Sequence, residues 1–265
     1  RDLHYPLRRQ RQMCIRDSFY KPLSLVEISN NISVSFANTQ SICENLVELG
    51  YLSKNISNNC YYPTSLCLKL ASGFFNLSPL LQAALPELNG ICGSMEGNVN
   101  LIGYDQHELT LLFCTNSYQL GEFDVPGKSK NLLYTAAGRA ILAHLPAMDV
   151  VSLIFSAERI PFTTKTIIEP KTLMGEIEQA FKTGFAVVSR EQNGDTVSIA
   201  SAILNDRNEP IGAVELTGAW EKLRWAKKRK LLGNQVQTIT KTISTKLKNQ
   251  SLVLLVVQKF QQRLM

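Results

Sequence analysis

The side chains best suited to catalysis or metal binding are few, and they stand in none of the patterns such chemistry needs. The three histidines are His4, His107 and His144; the six cysteines are Cys14, Cys43, Cys60, Cys67, Cys92 and Cys114. No two cysteines form a C-x-x-C pair and no histidine falls at ligand spacing from them, so neither metal nor other cofactor is expected. No signal peptide precedes them to suggest a disulfide framework, and free thiols in a reducing cytoplasm are the expectation. No serine sits in a nucleophile elbow, and no glycine-rich phosphate loop is present. No catalytic residue is assigned.

A different chemistry is available between residues 36 and 41. Asn38 and Gln40 each carry a carboxamide whose adjacent donor and acceptor match the edge of adenine in the major groove. Ala37 and the Phe36 ring suit contact with thymine methyl groups, and Ser41 lies on the same side. No arginine stands near to read guanine, so the set describes an A·T-rich half-site. The competing reading is a solvated helix face.

The surrounding elements decide whether those residues can be presented together. SLVE at 24–27 has the form of a capping box, with the Ser24 hydroxyl and the Glu27 carboxylate each reaching the other's backbone. A short helix over 25–30 follows, and Asn30 and Asn31 supply a turn. Ile32 and Val34 are apolar anchors, and Ser35 caps a second helix over 36–49. Ile42, Cys43, Leu46 and Leu49 form its inward face. Ala37, Asn38, Gln40, Ser41, Glu44, Asn45 and Glu48 form its outward face. Gly50 stops the helix. Strands from Tyr51 and Leu52 and over 60–62, joined by a turn at 57–59, make a wing that brings Lys54 and Tyr61 to the same interface. This order predicts a winged helix-turn-helix, whose second helix lies in the major groove.

Charge qualifies that expectation. The net charge is +6 over 265 residues, but it is unevenly spread. Residues 22–78 carry Lys54 and Lys69 against Glu27, Glu44 and Glu48, which leaves −1. Residues 79–218 come to −7 and residues 219–265 to +10. Phosphate neutralisation by basic side chains supplies much of the affinity for DNA, so a slightly acidic reading module is unusual. The basic run at 227–230 could contact DNA or acidic lipid, but solvated helix faces commonly carry such runs. The longest apolar run, 252–257, falls far short of the roughly 18 residues that span a bilayer, so no membrane partner is expected.

Both ends differ from the rest. Residues 1–18 have neither helical nor strand periodicity, and RRQRQMCIRDS at 8–18 resembles translated sequencing-adapter sequence. A non-native segment is expected there, with the first helix of the domain missing. A basic arm entering the minor groove is the alternative. At the other end, residues 250–265 either extend the last helix or form a tail of separate origin.

Beyond the wing, several segments follow one order: TAAGRAILA at 135–143, TTKTI at 163–167, KTGFAV at 182–187, IASAI at 199–203, NDRNEPIGA at 205–213 and LTG at 216–218. With these the chain resembles the IclR family of bacterial transcriptional regulators from about residue 22 to 249. The resemblance implies an α+β protein with an N-terminal winged helix-turn-helix over 19–64, a linker helix over 65–78 and a GAF-like effector domain over 79–249 built on an antiparallel sheet. It implies a homodimer or tetramer, a palindromic double-stranded DNA operator, and a small-molecule effector that alters operator affinity. The family contains both repressors and activators.

Read from the residues, the C-terminal part gives helices over 80–95, 135–145 and 172–183. Strands are expected over 99–104, 108–114, 185–189, 196–204 and 211–217, before a final helix. The resemblance places the effector at Thr135, Ala136 and Ala137, where helix-start N–H groups suit a carboxylate, and at Ser198, Glu215 and Thr217. Val188 stands where the family commonly has an acid, Ser198 where it has cysteine, and Glu215 where it has a small hydroxyl. A carboxylate there would repel an organic acid. The effector is then neutral or cationic, or Glu215 pairs with a base, or the site no longer senses. A ligand-sensing or protein-interaction module with a decayed DNA-binding half is the alternative function. His144 is expected to be structural, and His107 to sit in an exposed turn.

Overall fold

The computed structural model describes residues 21–91, 93, 95–115, 118–119, 122–123, 125–159 and 161–264, with 118–119, 122–123 and 251–264 described by backbone alone. The expectations for residues 1–18 lie outside the described residues. The chain divides into two compact units at Ser78 and Pro79.

In the first unit, helix α1 (Leu25–Ile32) begins at the capping box read from the sequence. The Ser24 amide donates to Glu27 Oε2 at 2.8 Å, and the Glu27 amide to Ser24 Oγ at 3.3 Å. The helix runs two residues past its expected end at Asn30. Asn30 and Asn31 are helical, and the left-handed residue is Ser33, at φ 55°. That turn is held from inside the helix, because Ser29 accepts the amide of Val34 and its hydroxyl donates back to the Val34 carbonyl.

Helix α2 (Phe36–Glu48) starts at the Ser35 cap. It ends in a Schellman motif: the Tyr51 amide reaches the Leu46 carbonyl, the Gly50 amide reaches Val47, and Gly50 takes φ 81°. Its buried face is Thr39 and Cys43, with Leu46 and Val47 half-buried. Ile42 and Leu49, expected inward, are exposed, as is Ile32. The inward strip at i, i+4, i+7 and i+8 keeps Cys43 and Leu46 of the expected face and has Thr39 and Val47 in place of Ile42 and Leu49. Strands β1 (Leu52–Lys54) and β2 (Tyr61–Pro63) pair antiparallel as the wing. Leu23 is tied to β2 by two backbone hydrogen bonds with Tyr61. Helix α3 (Cys67–Leu77) closes the unit.

The second unit is a six-stranded antiparallel sheet between two helical layers. Its strands are β3 (Asn98–Asp105), β4 (Glu108–Cys114), β7 (Ser129–Lys130), β8 (Ala186–Ser189), β9 (Thr196–Leu204) and β10 (Pro210–Ala219), in the order β7-β4-β3-β10-β9-β8. A separate short hairpin joins β5 (Tyr118–Gln119) and β6 (Glu122–Phe123). One face of the sheet packs on α4 (Pro79–Ile91) and α9 (Ala226–Leu264). Leu232, Val236, Thr240, Ile243 and Leu247 of α9 are buried at helical spacing. The helix α9 continues without a break through residues 251–264. The short helix α8 (Trp220–Leu223) precedes it.

The opposite face carries α5 (Ala136–Leu142), α6 (Ala147–Ser156) and α7 (Pro170–Thr183), around a core of Ile102, Leu111, Ala137, Ile141, Leu153 and Ile177. Strands β4 and β9 fall at the bounds read from the sequence, and β3, β8, β10 and α7 within one or two residues. Helix α6 was not expected, although Val150, Leu153 and Ile154 behind Pro146 carry a helical signal. Helix α5 ends at Leu142, three residues early.

One prediction concerns acidity. Backbone and side-chain hydrogen bonds from Ser24, with help from Lys21, pull the Glu27 carboxyl from its ordinary 4.5 down to about 2. A depressed folded value means that the stabilising effect is complete above the ordinary value and fades as pH falls through it toward 2. Urea melts of the chain and of Glu27→Gln should differ at neutral pH and converge across that acidic range. An unchanging gap would show that the carboxylate charge is not what the cap uses.

Candidate nucleic-acid interface and effector site

In the first unit, α2 presents Phe36, Ala37, Asn38, Gln40 and Ser41 to solvent. All five belong to the first two turns after the Ser35 cap, the part of a recognition helix that meets base edges. The Gln40 amide donates to Glu44 Oε1 at 2.8 Å, so reaching a base would require exchange of that contact. Lys54 is exposed on the wing, its ammonium 5.5 Å from the centre of the Tyr61 ring across the hairpin. Tyr61 itself is a correction to the expected set. Only 4% of it is exposed, because strand β2 turns its ring inward, and the exposed ring on that strand is Tyr62.

The basic run at 227–230 is partly engaged within its own unit. Lys228 pairs with Glu96, and the Arg229 guanidinium donates to the Leu223 and Arg224 carbonyls. His107 occupies the exposed β3–β4 turn at φ 67°, with its Nδ1 3.0 Å from the Tyr104 hydroxyl. His144 stacks edge-on against Phe181, and burial lowers its pKa.

In the second unit, the sheet register gathers the expected effector residues. Glu215 stands opposite Asn100 of β3 and Ala200 of β9; Thr217 stands opposite Asn98 and Ser198. These residues share the face covered by α5. The Ser198 and Thr217 hydroxyls lie 2.9 Å apart. Thr135 caps α5, its hydroxyl accepting from the Gly138 amide and donating to the Asn131 carbonyl. The Ala137 amide donates to Glu215 Oε1 at 3.3 Å. Of the helix-start donors expected to face a ligand carboxylate, the Ala137 amide is therefore engaged by the chain's own Glu215, and the next amide, that of Gly138, by Thr135. Glu215 is 5% exposed, so its acceptor contact is made largely out of water.

What fixes α5 over this face is a pair that motif reading had not singled out. Arg139, 1% exposed, makes two parallel hydrogen bonds to the Glu191 carboxylate at 2.8 and 2.6 Å. Its Nε donates to the Leu133 carbonyl, and the Ile167 amide donates to the same carboxylate. The Thr163 and Thr166 hydroxyls donate to the 190–191 backbone, which gives the TTKTI motif its role. Gly138 is required by proximity, since a Cβ there would lie 1.9 Å from the Leu132 carbonyl oxygen.

Sequence reading also missed Asn98 and Asn100. Both are buried in β3, and Asn98 accepts from Thr115 at 2.8 Å. Asparagine is disfavoured within strands, so the alternation Asn98, Val99, Asn100, Leu101 was the available signal.

The comparisons with known proteins agree with this architecture. Residues 76–245 match the family profile described as bacterial transcriptional regulator IclR C-terminal. The chain is 23% identical over 201 residues to the HTH-type transcriptional regulator KipR of Bacillus subtilis, covering 75% of this chain and 80% of that one. It is 25% identical over 205 residues to the glycerol operon regulatory protein of Streptomyces coelicolor, covering 76% and 79%. The crystal structure of an IclR transcriptional regulator from Alicyclobacillus acidocaldarius has the same fold, with a TM-score of 0.73 at 14% identity over 91% of this chain and 96% of that one. An α+β protein with a helix-turn-helix unit and an antiparallel-sheet effector unit is thus a transcriptional regulator. The chain belongs to the IclR family: DNA-binding regulators whose operator affinity is modulated by a small metabolite held in the C-terminal domain.

Removing one partner of a buried, hydrogen-bonded ion pair costs about 3–5 kcal/mol, because the other charge is left uncompensated. Glu191→Gln and Arg139→Met should each lower unfolding stability by about that amount. The double variant Arg139→Met/Glu191→Met should recover much of the loss. Urea denaturation of all four proteins checks this, and additive losses in the double variant would contradict it.

Proposed function

We propose that the chain reads an A·T-rich operator half-site through Asn38 and Gln40, with Phe36, Ala37 and Ser41 packing on the neighbouring bases and Lys54 on phosphate. The observation that carries this reading is the exposed, uncharged polar face at the start of α2, held behind a capped turn and a paired wing. The reading takes the protein to be a homodimer or tetramer, so that two half-sites meet two copies. Leu70, Phe74 and Leu77 form an exposed apolar stripe on α3 that supports assembly. The reading assigns the chain no catalytic step and places it in the cytoplasm. No helix among the described residues is long and apolar enough to cross a membrane.

Gel shift and anisotropy titrations on fragments from the chain's own promoter region test the DNA reading. Asn38→Ala and Gln40→Ala should each cost about 1–3 kcal/mol on the preferred site and relax preference for adenine there. Lys54→Ala should weaken binding evenly and lower the log K against log salt slope by about 1. Failure to shift any promoter fragment would favour the alternative, a sensing module without DNA binding. The −1 balance of residues 22–78 is the observation behind that alternative.

For the effector, the reading excludes a simple small carboxylate. Glu215 sits at the start of α5 with its oxygen on the Ala137 amide, and a second anion would meet its charge in a poorly solvated site. Pyruvate-like acids should give no selective rise in melting temperature, and a selective, saturable rise would overturn this.

A further inference from the structure

The geometry points to an effector that enters with N–H donors leading, a primary ammonium or a carboxamide, recognised by Asn100 and Glu215. This deepens the effector reading above and rests on it. Asn100 lies mid-strand in β3 and is 2% exposed, yet its Oδ1 has no hydrogen-bond partner among the described residues. Almost every buried acceptor in a folded protein is met by a donor, and exceptions fall where something else supplies it. Asparagine also weakens a strand interior, so the residue gives this position no structural advantage.

The neighbours of that oxygen define what would complete it. Glu215 stands directly across from Asn100 on the same face, and Thr217 and Ser198 continue that face two residues along β10. The Ala137 amide already donates to Glu215, and the Thr135 hydroxyl already takes the Gly138 amide. The side-chain oxygens brought together are therefore an amide carbonyl, a carboxylate and two hydroxyls. An ammonium or carboxamide nitrogen can donate to the carbonyl and the carboxylate at once. A ligand led by a carboxylate would bring acceptors to acceptors and leave Asn100 Oδ1 unmet.

Calorimetry on the full chain without DNA tests this, using matched sets: benzoate, benzamide and benzylamine, and propionate, propionamide and propylamine. In at least one set the amide or amine should bind saturably, with the acid at least tenfold weaker. Preference for the amine, abolished in Glu215→Gln, assigns the lead to the carboxylate; preference for the amide assigns it to Asn100. Asn100→Val should leave the melting temperature of the free protein unchanged or raised, because an unmet acceptor is removed, while weakening the favoured ligand at least tenfold. Tightest binding by an acid, no saturable binding by any member, or a lower melting temperature with binding intact in Asn100→Val would each overturn the proposal. A chain that binds an amide but shifts no DNA would retain this inference and defeat the operator reading. A chain that shifts DNA but fails these sets would do the reverse.

Discussion

The Arg139 guanidinium and the Glu191 carboxylate meet almost wholly out of water, joined by two parallel hydrogen bonds. Moving both charges out of solvent is expensive, and the geometry offsets that cost through the paired bonds and through further hydrogen bonds to each group. Leu133 takes the third guanidinium donor, and Ile167 adds a backbone donor to the carboxylate. The pair therefore joins three otherwise separate segments: helix α5, the 163–167 turn and the stretch after β8. If it were loosened, the start of α5 would lose its fixed height above the sheet.

That height decides the chemistry of the effector unit. Gly138 lets α5 approach the Leu132 carbonyl more closely than any side chain would allow. Asn131 reinforces the approach, its carboxamide oxygen accepting the Leu133 and Tyr134 amides. At this distance the Ala137 amide reaches Glu215 across the layer between helix and sheet. The helix is thus placed by its far side, through Arg139 and Glu191, rather than by the polar residues beneath its start.

Much of this was legible in the sequence because it is local. The Ser24 and Glu27 cap, the stop at Gly50 and the β3–β4 hairpin each depend on residues a few positions apart, whose backbone preferences act before any packing. The bounds of β4 and β9 were legible as well, from the runs at 108–114 and 196–204. Errors came where packing overrode local preference. The turn after α1 passed over Asn30 and Asn31 to Ser33, Tyr61 turned inward under the wing, and the buried strip of α2 rotated away from Ile42 and Leu49.

The absence of metal-ligand and nucleophile spacing, and the polar start of α2, were fixed by composition and short-range order, since a helix presents neighbouring residues together wherever it lies. Asn38 and Gln40 needed only that helix to be exposed together. Partnerships across the chain needed the fold. Arg139 and Glu191 are 52 positions apart and Ala137 and Glu215 are 78, and no periodicity links residues at such separation. Tertiary structure alone decided that one carboxylate would pair with Arg139 and the other would meet the start of α5, because burial, charge pairing and sheet register act between segments that are neighbours only after folding.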